Sequence, residues 1–315
     1  MRSMIRPVAI ALALSGCGAP APHTAADGTP LVDGFDPKAP GPGEIQVITP
    51  IFKGIASGTD VTYCSYLDFH ASKTMDVTSY LGFQSRGGHH TILYSTANSQ
   101  TPNTHVCTDN DMFNVQYVGG GGTDSTIAAS KIPPGIAFRI QQGSQLMLLS
   151  HWINATGQSV DGQAAYNIAV QDPTPEVAPG DLFTVVRTDF SLPIGQSTVH
   201  NECVLKQDLQ FFLIGGHAHE YASRITLTHM PASGGPTVMY DQPWNKTLIF
   251  DTPLNNYTKE MPYVMHAGDH FVVDCTYQNT TDKPIMFPTE MCVGFGYFFP
   301  ATAEIDCVDG NWPSN

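Results

Sequence analysis

The chain has 315 residues, with 28 Asp and Glu against 14 Lys and Arg, for a formal net charge of −14. Only 13% of residues are charged and no Lys/Arg cluster exists, so nucleic acid and anionic membrane surfaces are poor partners. The length is too great for one ordinary core and suggests about two domains.

Taken in chain order, the first element predicted is an export signal. Arg2 and Arg6 precede the apolar stretch Pro7 to Leu14, which runs into Leu14-Ser15-Gly16-Cys17, a pattern resembling a bacterial lipoprotein signal. Cleavage before Cys17 leaves that cysteine lipid-bearing, and removing Arg2 and Arg6 leaves 28 acidic against 14 − 2 = 12 basic residues, a charge of −16. The expected location is a bacterial cell envelope, periplasmic or at the outer-membrane surface, with membrane contact only through the lipid. No other apolar run approaches the roughly 18 residues that span a bilayer. Residues 18–43 are rich in Pro, Gly and Ala without apolar periodicity and read as a flexible tether, in which His23 is incidental.

Two domains are expected after the tether, 44–179 and 180–315, divided at QDPTPEVAPGD (171–181), which carries three prolines and no alternation. Short β-branched and aromatic runs recur on both sides: IQVITPIF, TILYS, AFRIQ, LMLLSHWI and AYNIAV before it, then LFTVV, QFFLIG, ITLTH, TLIFD, HFVVDCTY and CVGFGYFF. Their length and spacing predict strands, and no amphipathic helix of ten residues is found. The fold class is therefore all-β, two tandem antiparallel β-sandwiches of jelly-roll type. GGGG at 119–122 reads as a loop without phosphate-binding context. The sequons at Asn154, Asn245, Asn256 and Asn279 carry little meaning in a bacterial-type lipoprotein.

Six metal-capable side chains follow one order: His89 and His90, His151, His217 and His219 as HxH, and Met291. Thioether sulfur is soft and suits Cu(I), whereas zinc favours imidazole, thiolate and carboxylate, so the set reads as redox copper. HxH on a strand places both imidazoles on one face, about 7 Å apart at Cα. Tandem histidines on a regular strand point to opposite faces, so His89 and His90 can share an ion only where the pleat is broken; Gly87 and Gly88 permit that. The bland alternatives are a polar strand end with a stray core histidine, and Met291 as core. The other histidines (His70, His105, His200, His229, His266, His270) read as surface or hydrogen-bonded structural residues, with His105, two before Cys107, placed nearest a copper. Seven cysteines become six once Cys17 is set aside, and six allow fifteen pairings in an oxidising compartment.

The segments GGHHTILYS (87–95), LLSHWINAT (148–156), IGGHAHEYASRI (214–225) and TEMCVGFGYFF (289–299) resemble the ligand segments of the copper type II, ascorbate-dependent monooxygenases, the family of peptidylglycine alpha-hydroxylating and dopamine beta-monooxygenases. The resemblance runs from about residue 45 to 310. It implies two copper ions per chain, one on His89, His90 and His151 that stores and delivers an electron, and one on His217, His219 and Met291 where O2 and a substrate C–H bond react. It also implies an external reductant of ascorbate type and disulfides Cys64–Cys107, Cys203–Cys307 and Cys275–Cys292. In the chain-entropy picture the long second loop contributes on the order of 4 to 5 kcal/mol. The third bridge would hold one strand face while Met291 occupies the other.

Departures from the family concern substrate and electron route. Peptide-hydroxylating members hold a substrate carboxylate with Arg, Asn and Tyr at positions that here are Gly215, Val293 and Phe295, so a neutral, more apolar small substrate is expected. Leu149 stands where those relatives carry Gln two before His151. The function expected is a copper-dependent monooxygenase using O2 and an electron donor to hydroxylate a small, neutral substrate. The alternatives are a non-catalytic copper-binding or copper-handling lipoprotein on the same fold, and a sugar- or protein-binding β-sandwich with vestigial metal sites.

Overall fold

The computed structural model describes residues 24–112, 115–122, 130–249, 252–287 and 289–313. Among them every regular element is a strand apart from two four-residue 3-10 turns, Asp109–Met112 and Lys246–Ile249. The protein is all-β. Residues 1–23, with Cys17 and His23, lie outside the described residues.

Two facing layers build the first half. One is a five-stranded antiparallel sheet in the order Asn103–Val106, Asp60–His70, Gln145–Ile153, Gly88–Thr96, Val115–Gly122. The other takes Glu44–Ile48, Ala164–Gln171, Met75–Gln84 and Ile136–Ile140. Side chains that alternate inward from both layers, among them Val77, Leu93, Phe138, Leu146, Leu148 and Tyr166, meet in one buried cluster. Trp152, with no exposed surface, closes the end of this half against Phe52 and Ile55. Burying such a side chain stabilises by roughly 1.5 to 3 kcal/mol.

The second half repeats the arrangement. Its four-stranded sheet runs Gly195–Val204, His270–Asn279, Ala222–Met230, Thr237–Pro243 and faces Ala178–Arg187, Cys292–Phe299 and Leu209–Ala218. The core between them, drawn from residues 183–307, includes Phe183, Phe211, Ile225, Phe271 and Tyr277. Gly294 lets the layers approach, because a Cβ there would meet Val273 at 2.5 Å. The two halves share a sheet: Ala178–Gly180 pairs in parallel with Ile136–Phe138 before the same strand pairs antiparallel with Cys292–Phe299. The pairing is thus antiparallel except there and where Phe183–Val186 runs parallel to Ile305–Val308.

One turn recurs in both halves. Asn154, after the strand bearing His151, donates through Nδ2 to the carbonyls of Ile55 and Gln158, and its Oδ1 accepts from the N–H and hydroxyl of Thr156. Asn279 does the same with Leu192, Lys283 and Thr281. Each turn leads to a short strand, Val160–Gly162 or Ile285–Met286, that pairs with the segment just bonded, Phe52–Ile55 or Ser191–Leu192. These two sequons are buried turn locks, a role their sequence pattern does not advertise.

The disulfides are Cys64–Cys107, Cys203–Cys307 and Cys275–Cys292, as the resemblance implies. Three local expectations differ from the structure. From Thr24 onward the expected tether packs on the fold: Leu31 and Phe35 are buried against Phe83 and Ala165, and Gln163 bonds the backbone of both Pro30 and Val32. The GGGG run belongs to the strand Val115–Gly122, where Gly119 is needed because its backbone lies against the Tyr80 ring. TLIFD begins in the 3-10 turn Lys246–Ile249 rather than a strand, and its last two residues fall outside the described ones.

Candidate metal centres

His90 and His151 are direct cross-strand partners on the strands Gly88–Thr96 and Gln145–Ile153. The register then slips by one residue, so that Trp152 faces Gly88 and His89 is the extra residue of a bulge. A bulge breaks the alternation that would send tandem side chains to opposite faces. Gly87 turns the chain into it at φ +86°, a conformation that favours glycine. The departure from ideal pleat that the sequence requires is thus present at the residues concerned.

The three imidazoles converge. His90 Nδ1 lies 3.5 Å from His89 Nδ1 and 3.4 Å from His151 Nδ1, and one nitrogen from each ring falls within 4.8 Å of the others. Ligands about 2.0 Å from a common ion sit roughly 3.3 to 3.5 Å apart in tetrahedral or trigonal geometry, so the spacing fits a metal. His151 Nε2 meets Asp60 Oδ1 at 2.6 Å, which places its proton on Nε2 and its lone pair on the inward Nδ1. Burial, followed by the neighbouring His151 charge, lowers the His89 pKa to about 4; burial and the surrounding imidazoles hold His90 well below its ordinary value. His89 and His90 are therefore neutral at pH 7, the state in which an imidazole can take a metal. The charges of His217 and His219 also act on His90, so the two histidine sets lie close enough to interact.

His217 lies one residue from the end of the strand Leu209–Ala218, and His219 just beyond it, with ring centroids 5.1 Å apart. Burial, then the neighbouring His219 charge, lowers the His217 pKa to about 3, while the Ile249 backbone acts in the opposite direction. His219 Nδ1 bonds the Thr289 carbonyl at 3.1 Å, which leaves Nε2 free as the acceptor or ligand atom. Trp244 Nε1 donates to the His219 carbonyl. Because Ala218 pairs with Cys292, Met291 arrives beside His219 where the ladder ends. Tyr277 donates its hydroxyl to the Met291 carbonyl at 2.5 Å. Glu290, fully buried, accepts the backbone N–H of His219, Tyr221 and Met291; burial pushes its carboxyl up while those donors and His219 draw it down.

Sequence reasoning missed Asp60, Glu290, Trp244 and the Thr289 backbone. Glu290 carried a signal, being adjacent to Met291 inside a quoted segment. Asp60 carried none, since it lies 91 residues before the histidine it touches. The remaining histidines with a described partner are structural: His105 with Asp111 and Asn103, His200 with Asp274, His229 with Asp269 and Tyr263, His266 with Asp208, His270 with Glu202. His105, expected to be the nearest of these to a metal, is not part of the converging set.

Beside His217 the sheet surface is apolar. A Cβ on Gly215 would stand 2.8 Å from both Leu254 Cδ2 and Phe295 Cζ, so no longer side chain fits there without displacing them. Val293 is the cross-strand neighbour of His217.

No protein-family model matches the chain, and no curated protein does. Among solved structures it is similar to the major capsid protein P2 of bacteriophage PM2, at 7% identity over 82% of this chain and 99% of that one, with a TM-score of 0.33. It is also similar to a structure of infectious bursal disease virus, Gt strain, at 11% identity over 82% of this chain and 67% of that one, with a TM-score of 0.17. Likenesses this distant carry no argument about what the chain does.

Proposed function

We propose that the protein is an exported, lipid-anchored dicopper monooxygenase that hydroxylates a C–H bond of a small, neutral substrate. The observation that carries the reading is the convergence of the His89, His90 and His151 Nδ1 atoms at metal-ligand spacing, combined with a separate HxH pair at the strand end where the ladder leads into Met291. Zinc gives no reason for a thioether; copper does. Copper, held by His89, His90 and His151 in one site and by His217, His219 and Met291 in the other, would supply the electrons for O2 reduction and a soft Cu(I) state to meet O2.

The chain's own residues do the rest. Asp60 fixes the His151 tautomer, Thr289 orients His219, and burial keeps His89, His90 and His217 neutral at pH 7. Leu254, Phe295 and Val293, none of them charged, give the approach to His217 an apolar wall, which favours a neutral substrate over a carboxylate. The disulfides suit an oxidising compartment.

The test is O2 uptake by copper-loaded protein with ascorbate as donor, scored for oxygen incorporated into neutral apolar candidates. Uptake in the parent and its loss in His217→Ala supports the reading. Copper binding without ascorbate-dependent uptake under any condition would leave a copper-handling protein instead.

A further inference from the structure

Main-chain pairing between the strand that carries His217 and the strand after Met291 ends at Ala218 opposite Cys292. Past that point a side chain takes over. Glu290 Oε1 accepts the N–H of His219 and, at 3.0 Å, that of Met291; Oε2 accepts the Tyr221 N–H at 2.9 Å. Two of the three donors belong to the residues read as ligands, and they come from segments about 70 residues apart in sequence. With no exposed surface, the carboxylate has no water to compete for these bonds.

Glutamate suits this place in a way that glutamine does not. Three N–H groups point at two oxygens, an arrangement that an ionised carboxylate satisfies completely because it is acceptor-only. An amide in the same position offers one acceptor oxygen and turns an NH2 toward a donor. The Cys275–Cys292 bridge fixes the residue after Met291, and Tyr277 holds the Met291 carbonyl. Neither ties Met291 to His219.

We propose that Glu290 is a positioning residue that sets the Met291 thioether against His217 and His219, making the third ligand of that site a fixed one. The inference rests on the reading of Met291 as a copper ligand, and its test separates the two. Glu290→Gln breaks the acceptor set; Glu290→Asp keeps the charge and draws the carboxylate back by one methylene, so the claim is still tested where the amide variant does not fold.

The first readout needs no metal. In apo protein labelled with methyl-13C methionine, with the Met291 signal assigned through Met291→Leu, the parent should give a narrow, dispersed line that both variants broaden or move to the random-coil position. The second uses Cu(I). The Cu–S path seen by X-ray absorption in the parent should weaken in Glu290→Gln, and Cu(I) affinity of that site, measured against a chelator in a His90→Ala background, should fall about tenfold to a hundredfold. In a Met291→Leu background the same substitution should change affinity by no more than about twofold, because the group it positions is gone.

An equal fall in both backgrounds would assign Glu290 a general electrostatic role and overturn the inference, as would a parental Met291 line in both variants. A parent that lacks the Cu–S path refutes Met291 as a ligand, and the methyl line then decides the positioning role alone.

Discussion

The Nδ1 atoms of His90 and His151 face each other at 3.4 Å across an antiparallel strand pair, one step before the register slips. The slip is what allows His89 to join them, so the bulge and the site are one feature. Behind His151, on the ring edge away from this contact, Asp60 holds Nε2.

Asp60→Ala should therefore weaken copper binding at the three-histidine site by about tenfold to a hundredfold, the usual effect of removing an outer partner of a metal-bound imidazole. The other site should be unaffected. Competition against a copper chelator in the His217→Ala background reads the affected site alone. Unchanged affinity there would mean that the 2.6 Å contact orients nothing.

Purified protein should bind two copper ions, and His217→Ala about one, since the ligands fall into two sets. Metal analysis after dialysis decides it. A single copper in the parent, or zinc retained in preference at both sites, contradicts the two-copper reading.

Substrate choice follows from the wall beside His217. With Leu254 and Phe295 filling the space over Gly215, an anionic substrate finds no charge-assisted hydrogen bond, each worth roughly 1.5 to 3 kcal/mol. A glycine-extended peptide should then be turned over no better than its C-terminal amide, and a neutral apolar molecule should couple O2 uptake better than either. Efficient, coupled turnover of the free acid would show that a cation reaches the pocket from elsewhere.

The residues proposed as ligands were legible because their patterns are local: HH after GG, HxH, and Met before Cys are short. The all-β class was legible from strand runs of the right length. What lay hidden was non-local. Asp60 acts on His151, 91 residues further along the chain, and nothing in its neighbourhood marks it. TLIFD misled because its β-branched and aromatic content matches a strand, while Asn245 just before it accepts the N–H of Leu248 and, through its side chain, that of Thr247, which closes the chain into a 3-10 turn. GGGG misled in the opposite sense, since glycine normally disfavours strands, yet here the Tyr80 ring leaves no room for a Cβ at Gly119. Residues 24–43 look like linker by composition, and Leu31 and Phe35 are too few to show periodicity, but each finds a buried place.

The turn locks at Asn154 and Asn279 should be structural and equivalent. Asn154→Ala would remove the side-chain donor to the buried Ile55 carbonyl and the acceptor of the Thr156 N–H, at a cost of roughly 1 to 3 kcal/mol, and Asn279→Ala should behave alike with Leu192 and Thr281. Both should lower the midpoint of thermal unfolding without changing copper stoichiometry. A loss of stability in one variant only would argue against a shared device.

Where the two halves share a sheet, the buried Asp181 lies near the half-buried Glu304 and the exposed Asp306, and stability there depends on pH with a definite sign. Gln116 from the first half donates to Asp181 at 2.8 Å, and Glu304 lies near Asp181 and Asp306. Burial, then Asp306 and Asp181, raise the Glu304 pKa to about 9 from 4.5; burial raises Asp181 to about 6 from 3.8. A carboxyl whose folded pKa is raised stays protonated in the native state while the unfolded chain has lost its proton. Its contribution is fully present below the unfolded value and is lost as pH climbs toward the folded one, at no more than about 1.4 kcal/mol per pH unit. The histidines act in the opposite direction, since His89 and His217 have lowered values and cost stability only as pH falls below 6.5. Above about pH 7.5 they are neutral in both states and Asp181 is ionised in both, so the window from about pH 7.5 to 8.5 isolates Glu304. Apo protein should lose stability to denaturant across that window, and Glu304→Gln, which removes the titrating group and keeps the shape, should make the curve flat. An equally steep loss in the variant would place the titrating group elsewhere.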